Sequence, residues 1–296
     1  MKSSQRRNMN RLKGFTLTEI LVAVLIMAIV AGSVMMLGYT YFKHFEQANE
    51  ITIAKDRATM VLTYLERRIL HTGLGMPAEA VEFGPAFSGL LVGELLDWGT
   101  PIDSPEEEPE SDILRIAYAH PSGIFTISSG DISTTASPIP VVSFSGPLDA
   151  TKFVNADNNT KGWVVFPSVA MPFRVTGFDN GSSPKTIDLS AKHGIWYLPE
   201  KVELHFVRFL QASVSDQKFK VKDMTLGGEQ PIVEGVLGCR FSLDENKVLN
   251  VAVVARGSRR YSNYVSPSEI SGWGPVNNDW RYYYLVVINK GWRIRN

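Results

Sequence analysis

The stretch GFTLTE (residues 14–19), followed by ILVAVLIMAIVAGSVMML (residues 20–37), decides the fold of this 296-residue chain. The eighteen uncharged residues of that run, at about 1.5 Å of rise each in an α-helix, nearly cross a bilayer hydrocarbon core of about 30 Å. Residues 1–14 contain five basic and no acidic side chains, which favours their retention on the cytoplasmic side. We therefore predict one membrane-spanning helix, with the rest of the chain outside the cytoplasm.

An ionisable residue, Glu19, stands at the edge of the apolar run. A carboxylate inside a membrane helix costs about 2.5–3.5 kcal/mol on insertion scales, and less near the interface. A simple anchor has no need of this group, whereas a helix that later packs against other helices can pair it with a cation. Cleavage just before Phe15 would create such a cation, because the new N-terminal amine of a neighbouring copy could reach Glu19.

Residues 13–19 (KGFTLTE) and the apolar run behind them resemble the class III signal of type IV prepilins and type II secretion pseudopilins. In that family a prepilin peptidase cuts on the cytoplasmic face after a glycine, here Gly14, and N-methylates the new first residue, here Phe15. The family's glutamate is the fifth residue of the mature chain, and counting from Phe15 gives Glu19. The resemblance implies a cleaved leader (1–14), a methylated Phe15 and a role for Glu19 in subunit pairing.

Two other interpretations of this N-terminal region stay open. An ordinary secretory signal has an apolar core of about 7–15 residues and a small-residue cleavage site behind it. The run seen here is longer and has no clear site behind it. An uncleaved single-pass anchor accounts for the length of the run but not for the position of Glu19.

Beyond the apolar run the periodicity stays helical but becomes one-sided. Apolar residues recur at steps of three or four and define one stripe: Phe45, Ala48, Ile51, Ala54, Ala58, Val61, Leu62, Leu65 and Ile69. Glu50 is one of the charged residues that fall off it. We predict a continuous helix over residues 15–71, ended by Gly73 as a C′ glycine. Its membrane half (15–42) precedes an amphipathic half (43–72) that covers the core of a folded head.

Residues 73–296 are predicted to form that head, and they are rich in strand patterns. The proline-punctuated acidic segment 101–112 is predicted to be a solvated loop. Short β-branched and aromatic segments bounded by turn residues predict strands at residues 112–120, 123–128, 141–144, 162–166, 173–176, 195–198, 202–210, 219–222, 233–243, 248–255 and 282–288. Residues 179–181 are predicted to form a turn. The fold class is therefore α+β and pilin-like, a long N-terminal helix packed on a mostly antiparallel β head.

Charge and cysteine content narrow the function classes. Residues 1–14 hold five of the 30 basic residues, so residues 15–296 carry 25 basic against 30 acidic side chains, a net of −5. The sequence shows no basic stripe with interleaved aromatic residues, which disfavours nucleic acid as a partner. Cys239 is the one cysteine in the sequence, and its place in an apparent strand predicts a buried small hydrophobe. A reactive or intermolecular thiol is the alternative.

Three further segments resemble PilW-type minor pilins: LERRILHTG (65–73), PIVEGV (231–236) and VLNVAVVAR (248–256). The ending WRIRN (292–296) is similar to those of PilW and of the related type II secretion pseudopilin J. The resemblance implies a structural subunit of the type IV pilus, acting in a tip complex that primes polymerisation and carries or presents an adhesin. The implied partners are prepilin peptidase, other minor pilins, the major pilin, a tip adhesin and inner-membrane lipid before assembly.

Three other functions stay open. A type II secretion minor pseudopilin uses the same signal and helix. A membrane-anchored adhesin would use the aromatic residues Trp273, Trp280 and 282–284, for which packing in the β core is the simpler interpretation. A membrane-anchored enzyme has little support, because the five histidines are scattered and SSPK (182–185) matches S-x-x-K only by letter.

No cofactor or metal is expected. Asp244, Glu245 and Asn246 offer oxygen atoms to calcium, as in some pilins and pseudopilins. Three side chains fall short of the six to eight ligands that calcium takes, so a hairpin turn is the preferred interpretation. We therefore predict a structural protein rather than an enzyme.

Overall fold

The computed structural model describes residues 16–77, 80–87, 100–103, 112–143, 162–224, 227–244 and 247–294. By its internal contacts the chain divides into two units, residues 1–49 and 50–296. The long helix α1 (Leu17–Ile69) contributes to both units. The second unit also contains a short helix, α2 (Ala80–Phe87), and a series of strands.

The strands are β1 (Ile102–Asp103), β2 (Leu114–Thr126), β3 (Gly130–Ile132), β4 (Ser137–Ser143), β5 (Trp163–Phe166), β6 (Val169–Asp179), β7 (Lys185–Ser190), β8 (Trp196–Leu198), β9 (Glu203–Ser215), β10 (Lys218–Asp223), β11 (Glu229–Glu234), β12 (Val236–Leu243), β13 (Val248–Arg256), β14 (Glu269–Ile270), β15 (Gly274–Pro275) and β16 (Leu285–Arg293). All of their pairings are antiparallel.

Within the second unit, α1 buries one face. The predicted apolar stripe is confirmed from Ala54 to Ile69, where all of its members are buried. It is wrong for Phe45, Ala48 and Ile51, which are exposed in the single chain. Glu50, expected off the stripe, is buried instead, because its carboxylate accepts hydrogen bonds from backbone amides that pack against it.

Helix α1 ends at Ile69, slightly before its predicted end. The N–H groups of His71 and Thr72 donate to carbonyls three residues earlier, which tightens the last turn into a 3-10 form. Gly73 has the left-handed φ of 66° that a C′ glycine would have. Its N–H, however, donates to the carbonyl of Ala117 in β2 at 3.0 Å, so it joins the chain to the sheet rather than capping the helix.

Nine strands form one sheet in the order β1-β2-β4-β7-β6-β5-β9-β10-β11, and β2 also pairs with β9. The additional pairing closes β2, β4, β7, β6, β5 and β9 into a six-stranded ring. Both β2 and β9 are 13 residues long. They extend past the ring, where β1 pairs with β2, and β10 and β11 continue from β9.

The first main core is built from the ring strands and α2. Phe87 of α2 lies with its ring centroid 4.8 Å from Phe83, 6.1 Å from Trp163 and 5.5 Å from Phe209. Phe83 and Phe87 are four residues apart and therefore share one helical face. They explain a short helix in a region where glycine and proline indicate only loop.

The second main core covers the stripe of α1. It combines α1 with β1, β10 and β11 and with the inner face of a separate three-stranded sheet of order β12-β13-β16. Leu65 is fully buried here, and burying a leucine contributes about 1.5–3 kcal/mol. Because β2 and β9 supply residues to both main cores, two continuous strands link them.

A third, smaller cluster lies on the outer face of the three-stranded sheet. Its buried members are Leu237, Val254, Trp273 and Val276. They bring the segment between β13 and β16 onto the sheet, including β14, β15 and a 3-10 helix (Asn278–Tyr282). The segment covers only part of this face.

The predicted α+β class is confirmed, since one long helix accompanies mostly antiparallel sheet. The predicted turn is confirmed too, because Asp179 Oδ1 accepts a hydrogen bond from Gly181 N at 2.7 Å. The predicted strand 233–243 breaks at Gly235, whose φ of 77° redirects the chain from one sheet to the other. Of the acidic segment 101–112, residues 104–111 lie outside the described residues, whereas Ile102–Asp103 forms β1.

Candidate functional site

The site predicted from the sequence lies at the start of α1, where its described residues form a capping box. Thr16 precedes the first helical residue, and its Oγ1 accepts a hydrogen bond from Glu19 N at 3.3 Å. In return, Glu19 Oε2 accepts from Thr16 N at 2.8 Å and from Thr16 Oγ1 at 2.9 Å. This reciprocal pattern satisfies two backbone donors near the start of the helix that would otherwise lack partners.

The signal for this capping box is present in the sequence as T-x-x-E at residues 16–19. Glu19, predicted above only to pair with a neighbouring subunit, also has this local role. The two roles are compatible, because a carboxylate has about four lone-pair sites on its two oxygen atoms. Both bonds to the Glu19 carboxylate use Oε2, and Oε1 accepts none from the described part of the chain.

Gly14 and Phe15 lie outside the described residues. Cleavage after Gly14 and methylation of Phe15 therefore stay predictions. The predicted scissile bond joins Gly14 to Phe15, so cleavage would leave both members of the capping box, Thr16 and Glu19, in the processed chain.

Behind the capping box, α1 is apolar on every side. All large apolar side chains from Leu17 to Phe45 are exposed, by 51–81%. The hydroxyls of Ser33 and Thr40 each donate to the carbonyl four residues earlier, at 2.9 Å. Such bonds satisfy small polar side chains without a solvent partner. Among the described residues, α1 is the one helix long and apolar enough to cross a membrane.

The second unit holds its part of α1 through a buried carboxylate. Glu50 Oε2 accepts hydrogen bonds from the backbone N–H of Ser258 at 2.5 Å and of Arg259 at 3.0 Å. A Cβ at Gly257 would collide with this carboxylate. The close approach of the loop to the helix therefore requires glycine at that position.

Two helical turns later, Arg57 contacts the same loop. Its Nη1 donates to the carbonyl oxygens of Arg256 at 2.7 Å and Gly257 at 3.0 Å. Burial and the neighbouring Arg256 lower the pKa of the Arg57 guanidinium. Glu50 and Arg57 thus bind both the donors and the acceptors of one backbone loop, which fixes the register of α1 against the C-terminal sheet.

Glu66 anchors the last part of α1 to β16. Its Oε1 accepts hydrogen bonds from Lys290 Nζ at 2.8 Å and from Trp292 Nε1 at 3.3 Å. These bonds lower the pKa of the Glu66 carboxyl group. The contact is partly exposed and supplements the burial of the apolar stripe.

Three of the five histidines, which are scattered in the sequence, lie near β2 and β9 in the structure. The carbonyl of His71 accepts from Ala119 N at 3.0 Å, beside His120 on β2. On β9, buried His205 has its Nε2 3.7 Å from a carboxylate oxygen of Glu203, and its Nδ1 has no hydrogen-bond partner in the described structure. Burial lowers the pKa of His205. The described residues contain no group of three His, Cys, Asp or Glu that could hold a metal ion.

The remaining candidate residues lie in the core or in turns between strands. Cys239 is buried, and burial raises the pKa of its thiol, which keeps the group protonated. Asp244 closes the β12–β13 hairpin, with its Oδ1 accepting from Val248 N at 2.7 Å, while Glu245 and Asn246 lie outside the described residues. Ser182 lies in the turn between β6 and β7 and not at the start of a helix.

The aromatic residues near the C-terminus fall into two groups. Trp273 and Trp280 pack in the third cluster, as the core interpretation predicts. Tyrosines 282–284 do not belong to the described cores. They are half-buried, and Tyr284 stacks on Tyr264 with ring centroids 4.1 Å apart.

Comparison with known proteins adds one match. Residues 9–35 match the model of the prokaryotic N-terminal methylation motif. The match covers the end of the basic leader, the GFTLTE stretch and most of the apolar run. No curated protein and no solved structure showed significant similarity to the chain.

Proposed function

We propose that this chain, which is type IV prepilin-like by its matched motif and its α+β architecture, is a minor pilin, a structural subunit used in type IV pilus assembly. A prepilin peptidase cuts after Gly14, and Phe15 becomes the N-methylated first residue. The processed subunit acts in a tip or priming complex with other minor pilins, the major pilin and a tip adhesin. Pilin-like proteins are typically structural rather than enzymatic, and we assign no reaction to this chain.

The observation that carries the proposal is the apolar surface of α1 directly behind the matched motif. Its large side chains are exposed on all sides in the single chain. A surface of this extent has to be covered, because water disfavours large contiguous apolar areas. Lipid of the inner membrane covers it before assembly, in a single-pass arrangement with the head outside the cytoplasm. Helices of other subunits cover it afterwards, through close packing.

Glu19 has a role both in the single subunit before assembly and in the assembled fibre. In the single chain its Oε2 caps α1, and Oε1 accepts no hydrogen bond from the described residues. In the fibre Oε1 accepts the N-methylated amine of Phe15 from a neighbouring subunit. This pair offsets the cost of a carboxylate in apolar surroundings, which is why Glu19 favours assembly over a permanent stay in lipid.

A priming role follows from the cost of starting a helix bundle. A complex of minor pilins pairs several membrane helices in advance. The first major pilin subunits then add to an existing bundle and do not have to nucleate one from separate helices in lipid. A type II secretion minor pseudopilin is the second candidate, because the matched segment, residues 9–35, covers only the signal and the apolar run that both systems share.

The experiment that tests processing is mass spectrometry of the N-terminus, on membrane and sheared surface fractions separately. We expect a chain that begins at N-methylated Phe15 in the sheared fibres. The same N-terminus in membranes alone would favour a pseudopilin or a subunit retained at the base. An intact Met1 in mature cells would contradict the proposal and leave an uncleaved anchor.

Two substitutions separate the roles of Glu19. Glu19→Gln keeps an oxygen atom for the capping box and removes the charge that pairs with the amine, whereas Glu19→Ala removes both. We expect both variants to be cleaved after Gly14 but to be depleted from sheared fibres. Glu46→Ala, on the same helix, is the matched control. Normal incorporation of Glu19→Gln would contradict charge pairing and leave only the capping role.

A further inference from the structure

We propose that the outer face of the three-stranded sheet carries a binding site for a short oligosaccharide. The proposed site joins two pockets, called its lobes, that share Arg240 in their linings. The first lobe has a volume of about 330 Å³ and the second about 350 Å³. Each is at the lower end of the range of about 300–1,000 Å³ found for small-molecule sites.

The cleft exists because the outer face of the sheet is only half covered. A row here means three paired residues, one from each of β12, β13 and β16, that share the outer face. Gly238, Val254 and Val287 form one such row, and the third cluster covers it. The next row is Arg240, Ala252 and Asn289, and the row after it is Ser242, Asn250 and Gly291. These two rows line the first lobe, with small residues on its floor.

The first lobe offers hydrogen-bonding groups that the protein does not use. Ser242 and Asn250 make no side-chain hydrogen bond to another described residue. Asn289 Nδ2 donates to the carbonyl of Gly272 at 3.3 Å, and its Oδ1 accepts none within the described structure. Carboxamides and a hydroxyl both donate and accept, so they match the hydroxyl groups of a sugar, each of which does the same.

The second lobe offers aromatic surface. The half-buried Trp280 lines it together with Asn277, Asp112 and the buried Trp273. The exposed part of the Trp280 indole presents an apolar surface against which the C–H side of a pyranose can pack, while nearby polar groups bind its hydroxyls. The aromatic surface of the second lobe and the amides of the first lobe therefore suit a sugar chain, because each of its units has both an apolar C–H face and polar hydroxyl groups.

Arg240 forms the ridge between the lobes. Its Nη1 donates to the carbonyl of Trp273 at 2.5 Å, and its guanidinium lies 4.2 Å from the centroid of the indole ring. This contact holds the loop between β14 and β15, which contains Trp273, against the sheet. It thereby sets the distance between the lobes. A ligand that spans both lobes must cross the ridge, so we infer an oligosaccharide rather than a single sugar.

Charge disfavours an anionic ligand as the main class. Lys290 lines the first lobe, but its side chain points to the opposite face of the sheet, where its Nζ binds Glu66 at 2.8 Å. Arg240 is already engaged with Trp273. The second lobe contains the carboxylate of Asp112. The groups available in the cleft are thus predominantly neutral, which favours a neutral oligosaccharide.

The test is isothermal titration of the full chain, held in a zwitterionic detergent without a sugar head group, with maltotriose, cellotriose and chitotriose. We expect saturable binding of at least one of the three trisaccharides. Asn250→Ala and Asn289→Ala should each weaken it by about three- to tenfold, the loss of one neutral hydrogen bond. Asn263→Ala, an exposed asparagine in the loop after β13, is the matched control.

The two cleft variants remove exposed side chains, so their folding can be verified by circular dichroism and by an unchanged unfolding midpoint. Absence of saturable binding for all three trisaccharides up to about 10 mM, tenfold above a millimolar Kd, would overturn the proposal. Equal affinity of the cleft variants and the control would overturn it as well. Neither result bears on N-terminal processing, so the site and the proposed pilus role fail independently.

Discussion

The two parts of α1, residues 17–49 and 50–69, differ in how their apolar side chains are arranged around the helix and in what surrounds them. Over residues 17–49 the large apolar side chains point in all directions and are exposed. Over residues 50–69 the apolar side chains keep to one face, and that face is buried under strands of two sheets. The arrangement of apolar side chains around the helix axis thus determines which kind of partner can cover it.

A single helix can thus suit two different kinds of partner along its length. A one-sided stripe suits a permanent partner, because a sheet covers one face and water covers the other. An all-round apolar surface suits partners that surround the helix, namely lipid or other helices. Glu50 marks the first buried residue of the one-sided part.

The largest effect is expected when the same substitution is made in the buried and in the exposed part of α1. Leu65 is 0% exposed and Leu25 is 58% exposed in the single chain. We expect Leu65→Ala to lower the free energy of unfolding by about 2–5 kcal/mol, through lost burial and a cavity. Leu25→Ala should change it by less than about 0.5 kcal/mol. Denaturant unfolding followed by tryptophan fluorescence measures both, and equal losses would contradict the distinction.

The next largest effect is expected at Glu50. Glu50→Ala leaves the N–H groups of Ser258 and Arg259 without their charged acceptor, which we expect to cost about 2–4 kcal/mol of unfolding free energy. Glu50→Gln keeps an oxygen acceptor and should recover part of the loss. Glu269→Ala, at an exposed site, is the control for loss of a carboxylate. A Glu50→Ala variant as stable as this control would show that the loop does not hold the helix.

The stability of the second unit should also depend on pH, through a buried histidine near the end of α1. Glu203, His71 and His120 are titratable neighbours of His205, and burial lowers the pKa of His205 from its ordinary 6.5. The unfolded chain therefore binds a proton near pH 6.5 that the folded chain does not accept until lower pH. The free energy of unfolding should stay level above about pH 6.5 on this account and fall as the pH drops below it.

His205→Gln should flatten this dependence, and the exposed His193→Gln should not. The measurement is the unfolding midpoint of the three chains between pH 7.5 and 5. Parallel curves for all three would exclude His205 as the source of the slope.

The smallest effect is expected at the start of the exposed part. Thr16→Ala removes the capping hydroxyl that accepts from Glu19 N and should weaken the first turn locally by about 1 kcal/mol. Faster amide hydrogen exchange in a peptide covering residues 16–24 would report it. Global unfolding should not change, and Ser33→Ala is the control. A change in global unfolding would mean that the start of α1 is coupled to the head.

Much of the fold could be predicted from local signals. The uncharged run 20–37 and the stripe from Ala54 to Ile69 predict α1 almost to its observed end, because helical periodicity repeats many times in 50 residues. The turn at residues 179–181 and the burial of Cys239 follow from residue chemistry over a few positions. The candidate site around Glu19 also follows from a few neighbouring residues, although its capping box was not predicted.

What the sequence does not predict depends on partners far away in the chain. The burial of Glu50 requires amides 208 residues later, and no local pattern indicates them. Strand β7, KTIDLS, offers only Ile187 and Leu189 as apolar residues, so its place in the ring comes from its neighbours β4 and β6. The pairing of β2 with β9 that closes the ring is likewise a long-range match of registers.

The same long separations set an order of events during synthesis. Glu66 of α1 and Lys290 of β16 are 224 residues apart, and chains grow at about 5–20 residues per second, so roughly 10–45 s pass between the two. For that time the stripe of α1 has emerged while its last covering strand has not. The growing chain therefore keeps an uncovered apolar face until its final strand arrives, and this face is prone to aggregation during that time.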